Sequence, residues 1–279
     1  MVMKLDAPAY CSLQMVDDVV AERQGGKNAG FFSGIKQDWR DRVQAYIDAA
    51  GSPEIVKTWT DVDKKKNTFL NLYLSPQDGS VQGKMLSSLR DHELSICPAC
   101  GEAGTPYTLD HYLPKDKYPH FAVTPLNLFP MCDACQRKKL AKTGDADDPR
   151  FFLHPYFDVF IANQVLKLSI DPPFDAPTFG LDVADGLSVQ QMALVRRHVK
   201  ELGIVERYAR FFRGQHMRLL KLVQKSRATG QNVETNLTLF RGMVSIPTQN
   251  AWEHVFYDAV LSNLEMINYL EHGDIPEYR

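Results

Sequence analysis

Apolar positions recur at helical spacing through most of this chain. Between Ile35 and Ala50, residues Trp39, Val43, Tyr46 and Ile47 fall on one face, and Gly51-Ser52-Pro53 ends the run. Ser52 and Pro53 then read as the N-cap and first-turn residues of a second helix. A short third is expected over Val81 to His92. Ser188 and Gln191 have capping-box spacing and open a helix to about Gly203. A longer helix is predicted from Glu206 to Ala228, with Tyr208, Phe211, Phe212, Leu219, Leu222 and Val223 on one side. Asn250 with Glu253 forms a further capping box, starting a last helix through Leu270.

Two stretches break that texture. From Ser95 to about Leu140, prolines crowd among short apolar pieces, and Phe151 to Gly186 holds strand-like segments such as Val165 to Ile170. The expected class is α+β: a mainly helical chain with a small metal-organised module inserted near the middle. Residues 1–94 would form an N-terminal helical region, 95–155 the module, and 156–279 a mainly helical C-terminal region with a basic helix.

Composition narrows the classes. Hydrophobic residues are 44% and charged residues 24% of the chain, as in soluble globular proteins. No run of eighteen apolar residues is present, so no membrane partner is expected. Met1-Val2-Met3-Lys4-Leu5-Asp6 lacks the apolar core of a signal peptide, which makes the cytoplasm the default location. The net charge of −2 hides an uneven distribution. Arg196 to Arg227 holds ten Lys or Arg against two Glu, a balance of +8, and Ala228 to Arg279 holds seven acids against two bases, a balance of −5.

Four of the five cysteines form two knuckles, Cys97-Pro98-Ala99-Cys100 and Cys132-Asp133-Ala134-Cys135, with 31 residues between them. Without an export signal this pattern favours metal over disulfides. Two thiolate pairs at this spacing can close a tetrahedral structural Zn2+ site with no open position, so this metal would clamp the module and take no part in catalysis. Cys11 stands alone and is assigned no role.

Between the knuckles, Tyr107 to Lys115 reads as a strand ending in the pair Asp110-His111, with Pro114 three residues after the histidine. Asn127 follows sixteen residues after His111, and a helix is expected from Cys135 through Lys139. In order and spacing these residues resemble the HNH (ββα-metal) endonuclease family, in its version with a four-cysteine zinc. The resemblance covers about 45 residues.

It implies that His111 is the general base. Asp110 would hold a catalytic Mg2+ or Mn2+, and Asn127 would hydrogen-bond across the hairpin to orient the His111 ring. Lys139 would contact a phosphate. One position departs from the family pattern. Gln136 stands where Asn or His usually provides the second metal ligand, nine residues after Asn127. Its carbonyl oxygen can serve from a longer side chain, or His154 can supply the ligand instead, or the site is weakened.

Arg207, Arg210 and Arg213 on the basic helix lie off its aromatic face and are candidates for nucleic-acid contacts. An acidic partner protein, or the acidic C-terminal helix, competes for the same charges. The reading is a metal-dependent endonuclease, with DNA ahead of RNA as substrate. The alternative is a zinc-stapled nucleic-acid- or protein-binding module whose site has decayed at Gln136. Helical flanks around such a module are also similar in layout to bacterial antiphage-defence nucleases. That similarity implies an ATPase subunit or another defence-system protein as partner.

Overall fold

The computed structural model describes residues 2–147 and 149–276. The chain forms two compact units, one of residues 5–97 and 104–158, the other of residues 2–4, 98–103 and 159–276. The N-terminal helices and most of the cysteine module thus belong to one unit, in contrast to the separate regions that the sequence suggests.

In the first unit, α1 (Ser12–Glu22) pairs with α2 (Ala29–Asp48), followed by α3 (Lys66–Leu74) and α4 (Val81–Arg90). α2 begins earlier than its apolar run suggests because Phe32 extends the buried stripe of Trp39, Val43 and Tyr46 back by two turns. Trp39 packs edge-on against Phe69 of α3 and donates from Nε1 to the His120 carbonyl at 2.8 Å, tying α2 to the module. The helix expected after Ser52 is a single turn closed by Ile55 and Val56 N–H on the Ser52 carbonyl. Ile55 lies 65% exposed there, so a continued helix would have little apolar face to bury. Ser80 caps α4 by accepting from Gly83 N.

The module itself is β1 (Thr108–His111) antiparallel to β2 (Leu128–Met131), then α5 (Asp133–Lys139). Asp110 stands opposite Phe129 and His111 opposite Leu128. This ββα order puts the Asp-His pair at the end of one strand and the helix directly behind it.

In the second unit, β3 (Leu166–Asp171) and β4 (Thr178–Val183) form a hairpin, and alternate β3 side chains are buried. α6 (Val189–Glu201) carries the full Ser188–Gln191 capping box. α7 (Ile204–Ala228) buries Tyr208, Phe212, Leu219, Leu220 and Val223. α8 (Val233–Val244), α9 (Trp252–Ser262) and α10 (Leu264–His272) complete it. Three features depart from the pattern reading here. α8 has no counterpart in the pattern reading, and the last helix breaks at Asn263, whose side chain caps α10 through Met266 N. Asn250 does not cap α9 with its side chain. It is fully buried and holds Val165 N and the Ile161 and Asn163 carbonyls instead. No helix among the described residues is long and apolar enough to cross a membrane.

Candidate metal centre and adjoining cleft

The four knuckle cysteines converge, with their Sγ atoms all within 4.8 Å of one another. Zn–S bonds of about 2.3 Å in a tetrahedron place sulfurs about 3.8 Å apart, so a modest contraction would seat the ion. Cys97, Cys100 and Cys135 are buried, and Cys132 N donates to Cys97 Sγ at 3.3 Å. A backbone N–H aimed at sulfur is the environment that a thiolate favours. The 98–103 loop is fixed within its own unit. His198 Nε2 donates to the Ala99 carbonyl at 2.6 Å, and Trp252 Nε1 donates to that of Cys100. The donor set fits a structural zinc.

The second feature is a cleft of about 530 Å³ in the first unit, lined by Asp110, His111, Gln136, Lys115, Asp116 and Arg137 among others. Three of the sequence candidates therefore share one cavity. His111 is buried, and its ring meets Tyr73 of α3 edge-on at 4.4 Å. Its Nε2 lies 2.9 Å from the Ala122 carbonyl. A carbonyl only accepts, so Nε2 carries the proton and Nδ1 keeps the lone pair. Burial pushes the ring down to about 3 against the opposing pull of the Ala122 carbonyl, so it is neutral at pH 7.

Asn127 is fully buried and spends its amide on the loop between β1 and β2. Its Oδ1 accepts from Leu113 N at 2.8 Å, and Nδ2 donates to the Leu113 and Phe121 carbonyls at 3.1 and 3.2 Å. The loop that it secures includes Ala122, which orients His111.

Lys139 departs from expectation. Far from reaching out to a phosphate, its side chain is 1% exposed. Nζ donates to the His111 carbonyl at 2.6 Å and lies 2.9 Å from Asp110 Oδ2. That second contact is ionic, with an angle outside hydrogen-bond geometry, and leaves Oδ2 buried without a hydrogen bond.

His154 is also corrected. It is fully buried and absent from the cleft lining. Its Nδ1 accepts from Tyr156 N at 3.2 Å, so the proton is on Nε2, 2.9 Å from Tyr46 Oη. Both ring nitrogens are committed, and neither has a lone pair left for a metal.

The basic helix divides in the same way. Arg207 pairs with Glu102 at 2.7 Å, lies over the Trp252 ring, and is only 14% exposed. Arg227 donates to the Tyr269, Leu270 and Gly273 carbonyls at the end of α10. Arg210 and Arg213 are exposed. Sequence reasoning passes over Lys115, Asp116 and Arg137, though each adjoins a motif residue, and Tyr73, which reaches His111 from a helix with no local signal.

No family model and no solved structure matches the chain. Among curated proteins it is 28% identical over 185 residues to Protein ea31 of Escherichia phage lambda, a stretch covering 60% of this chain. The chain spans 62% of that relative's length.

Proposed function

We propose that the chain is a metal-dependent nuclease of the HNH type, hydrolysing phosphodiester bonds in DNA ahead of RNA. One observation carries the reading: Asp110, His111 and Gln136 line a single cleft on a ββα unit. His111 Nδ1 holds the lone pair that can take a proton from water attacking phosphorus. The Asp110 carboxylate and Gln136 amide oxygen would hold magnesium or manganese, the all-oxygen donor set that such ions prefer. A bound divalent ion would neutralise phosphate charge and assist the leaving oxygen. Lys115 and Arg137 line the same cleft and offer positive charge to the phosphate oxygens. Asn127 keeps the loop that orients His111 from relaxing.

A second reading, a zinc-stapled binding module without catalysis, draws on Lys139, whose amine already neutralises the carboxylate meant for the cation. Plasmid nicking with magnesium or manganese separates the two. The nuclease reading expects cleavage by the parent and a loss of a hundredfold or more in His111→Ala. Equal activity in both proteins, or none on DNA or RNA, would sink it. A role in antiphage defence beside an ATPase belongs to the same proposal and predicts co-purification of the two subunits. Recovery only as a fully active free monomer counts against that part.

A further inference from the structure

A second concavity of the first unit, about 950 Å³, lies along α3. Arg23 and Lys27, from the end of α1 and the turn after it, and Lys64 and Lys65 line it, with Asn67 and Asn71 between them. Glu22 is the one acid in the lining, against four cations. Its carboxylate is engaged by Val81 N at 2.9 and 3.1 Å, capping α4, and by Arg23 at 3.8 Å. Asp61 and Asp63 of the preceding turn lie outside the lining. Lys27, Lys64, Lys65, Asn67 and Asn71 are all exposed. Arg23 also donates to the Val19 carbonyl and lies over the Phe32 ring, and Lys65 reaches Asn28 Oδ1 at 3.4 Å and the Phe31 ring, yet the four cations and the amide donors still make a concentrated positive field.

The groove runs along α3, and the same helix touches a residue of the cleft lining. Asn67, Asn71 and Leu72 of α3 face the groove, and Tyr73 of the same helix meets His111. Lys66, the next residue after the groove lysines, pairs at 3.9 Å with Asp116 of the cleft lining. A helix is about 10 Å across, a few nucleotide steps at about 3.4 Å per strand.

Resting on the nuclease reading, we infer that this groove is a track for the phosphate backbone of nucleic acid, continuing from the cleft past α3. Lys64, Lys65, Lys27 and Arg23 would neutralise successive phosphates, and Asn67 and Asn71 would donate to phosphate or sugar oxygens. These interactions carry no sequence information; they supply affinity and register. The track replaces the exposed arginines of α7 as the main electrostatic surface for substrate.

The test uses full-length, zinc-loaded protein carrying His111→Ala, so that bound substrate survives. Binding of labelled 20-base-pair DNA and RNA duplexes of one sequence is followed by fluorescence anisotropy across a salt series. Lys64→Glu with Lys65→Glu should weaken binding tenfold or more. The log–log salt slope should shrink by about 2, near 0.9 for each phosphate that the protein no longer neutralises. The milder Lys64→Gln with Lys65→Gln should move both readings in the same direction, and circular dichroism with zinc content establishes that the variants are folded. Weakening with one duplex only would assign the track to DNA or to RNA. Binding within twofold of the parent overturns the proposal, as does abolition of binding on reversing Arg210 and Arg213 instead. A His111-intact parent that binds through the groove and cuts nothing leaves the track standing and removes the nuclease reading. A parent that cuts while groove variants bind and cut normally does the reverse. A parent that binds neither duplex overturns both.

Discussion

Lys139 Nζ sits 2.9 Å from Asp110 Oδ2 and 2.6 Å from the His111 carbonyl, so one buried amine fastens α5 to both residues at the end of β1. The two charges hold each other in a site with 1% and 11% side-chain exposure. Removing one partner leaves the other unpaired. Lys139→Met should therefore cost about 3–5 kcal/mol in urea unfolding. Adding Asp110→Asn should restore much of that, and a double-mutant cycle reads the coupling. Additive single effects would show that the pair is not coupled.

Asn127 makes three hydrogen bonds to buried loop backbone, and removing the amide takes these bonds from the Leu113 N–H and carbonyl and leaves the Phe121 carbonyl with Thr124 N alone. Asn127→Ala should destabilise by about 2–4 kcal/mol. Asn127→Asp should be no better, because a carboxylate cannot donate to the Leu113 and Phe121 carbonyls. Cleavage should fall tenfold or more in both, since Ala122 orients His111 from the loop that Asn127 holds. Amide exchange across residues 112–122 reports the loosening directly.

The two candidates for the second ligand make opposite predictions. Gln136 is partly exposed in the cleft, so Gln136→Ala should change stability by less than about 1 kcal/mol and lower cleavage tenfold or more. His154 is buried with both ring nitrogens bonded, so His154→Ala should cost about 2–4 kcal/mol and leave the metal dependence of cleavage unchanged. A metal titration that shifts in His154→Ala and not in Gln136→Ala would reverse the assignment.

Burial pushes His120 to about 3 with help from Arg42, and pushes His198 to about 4. In the unfolded chain both protonate near 6.5. Between those values the unfolded chain binds more protons, so stability held above pH 6.5 is lost as pH falls towards 4, by about 1.4 kcal/mol per pH unit per histidine. Both His120 ring nitrogens are buried without hydrogen-bond partners. His120→Leu should thus flatten the slope by one proton and leave stability at pH 7 equal or higher. Denaturant midpoints at pH 7, 6 and 5 measure it, and an unchanged slope would refute it.

The converging Sγ atoms predict one zinc per chain by elemental analysis. Chelation should lower the melting midpoint by several degrees or more, because the ion replaces core that a seven-residue α5 and two four-residue strands cannot supply. Cys135→Ser should release the metal and reproduce that shift. A protein that melts identically with and without chelator would exclude a structural zinc.

Much of the candidate site is legible in short stretches of sequence. Knuckle spacing, the Asp110-His111 pair and Asn127 are local statements, since register along a strand and thiolate reach across a turn depend on near neighbours. The α6 capping box and the period-2 pattern of β3 are legible for the same reason.

Packing decides the rest. A lysine one turn along α5 reads as a surface cation until the end of β1 closes over it. A histidine after a proline-rich module reads as a ligand until Tyr46 and the Tyr156 amide take its nitrogens. Arg207 belongs to a basic run until Glu102 and Trp252 claim it. Lys27 and Lys64 are distant in sequence and share a groove only because α1, α2 and α3 pack together. The sequence determined which chemistry was available; tertiary structure decided which polar groups were spent on the fold and which remained for a ligand, because desolvation and pairing depend on residues far away in the chain.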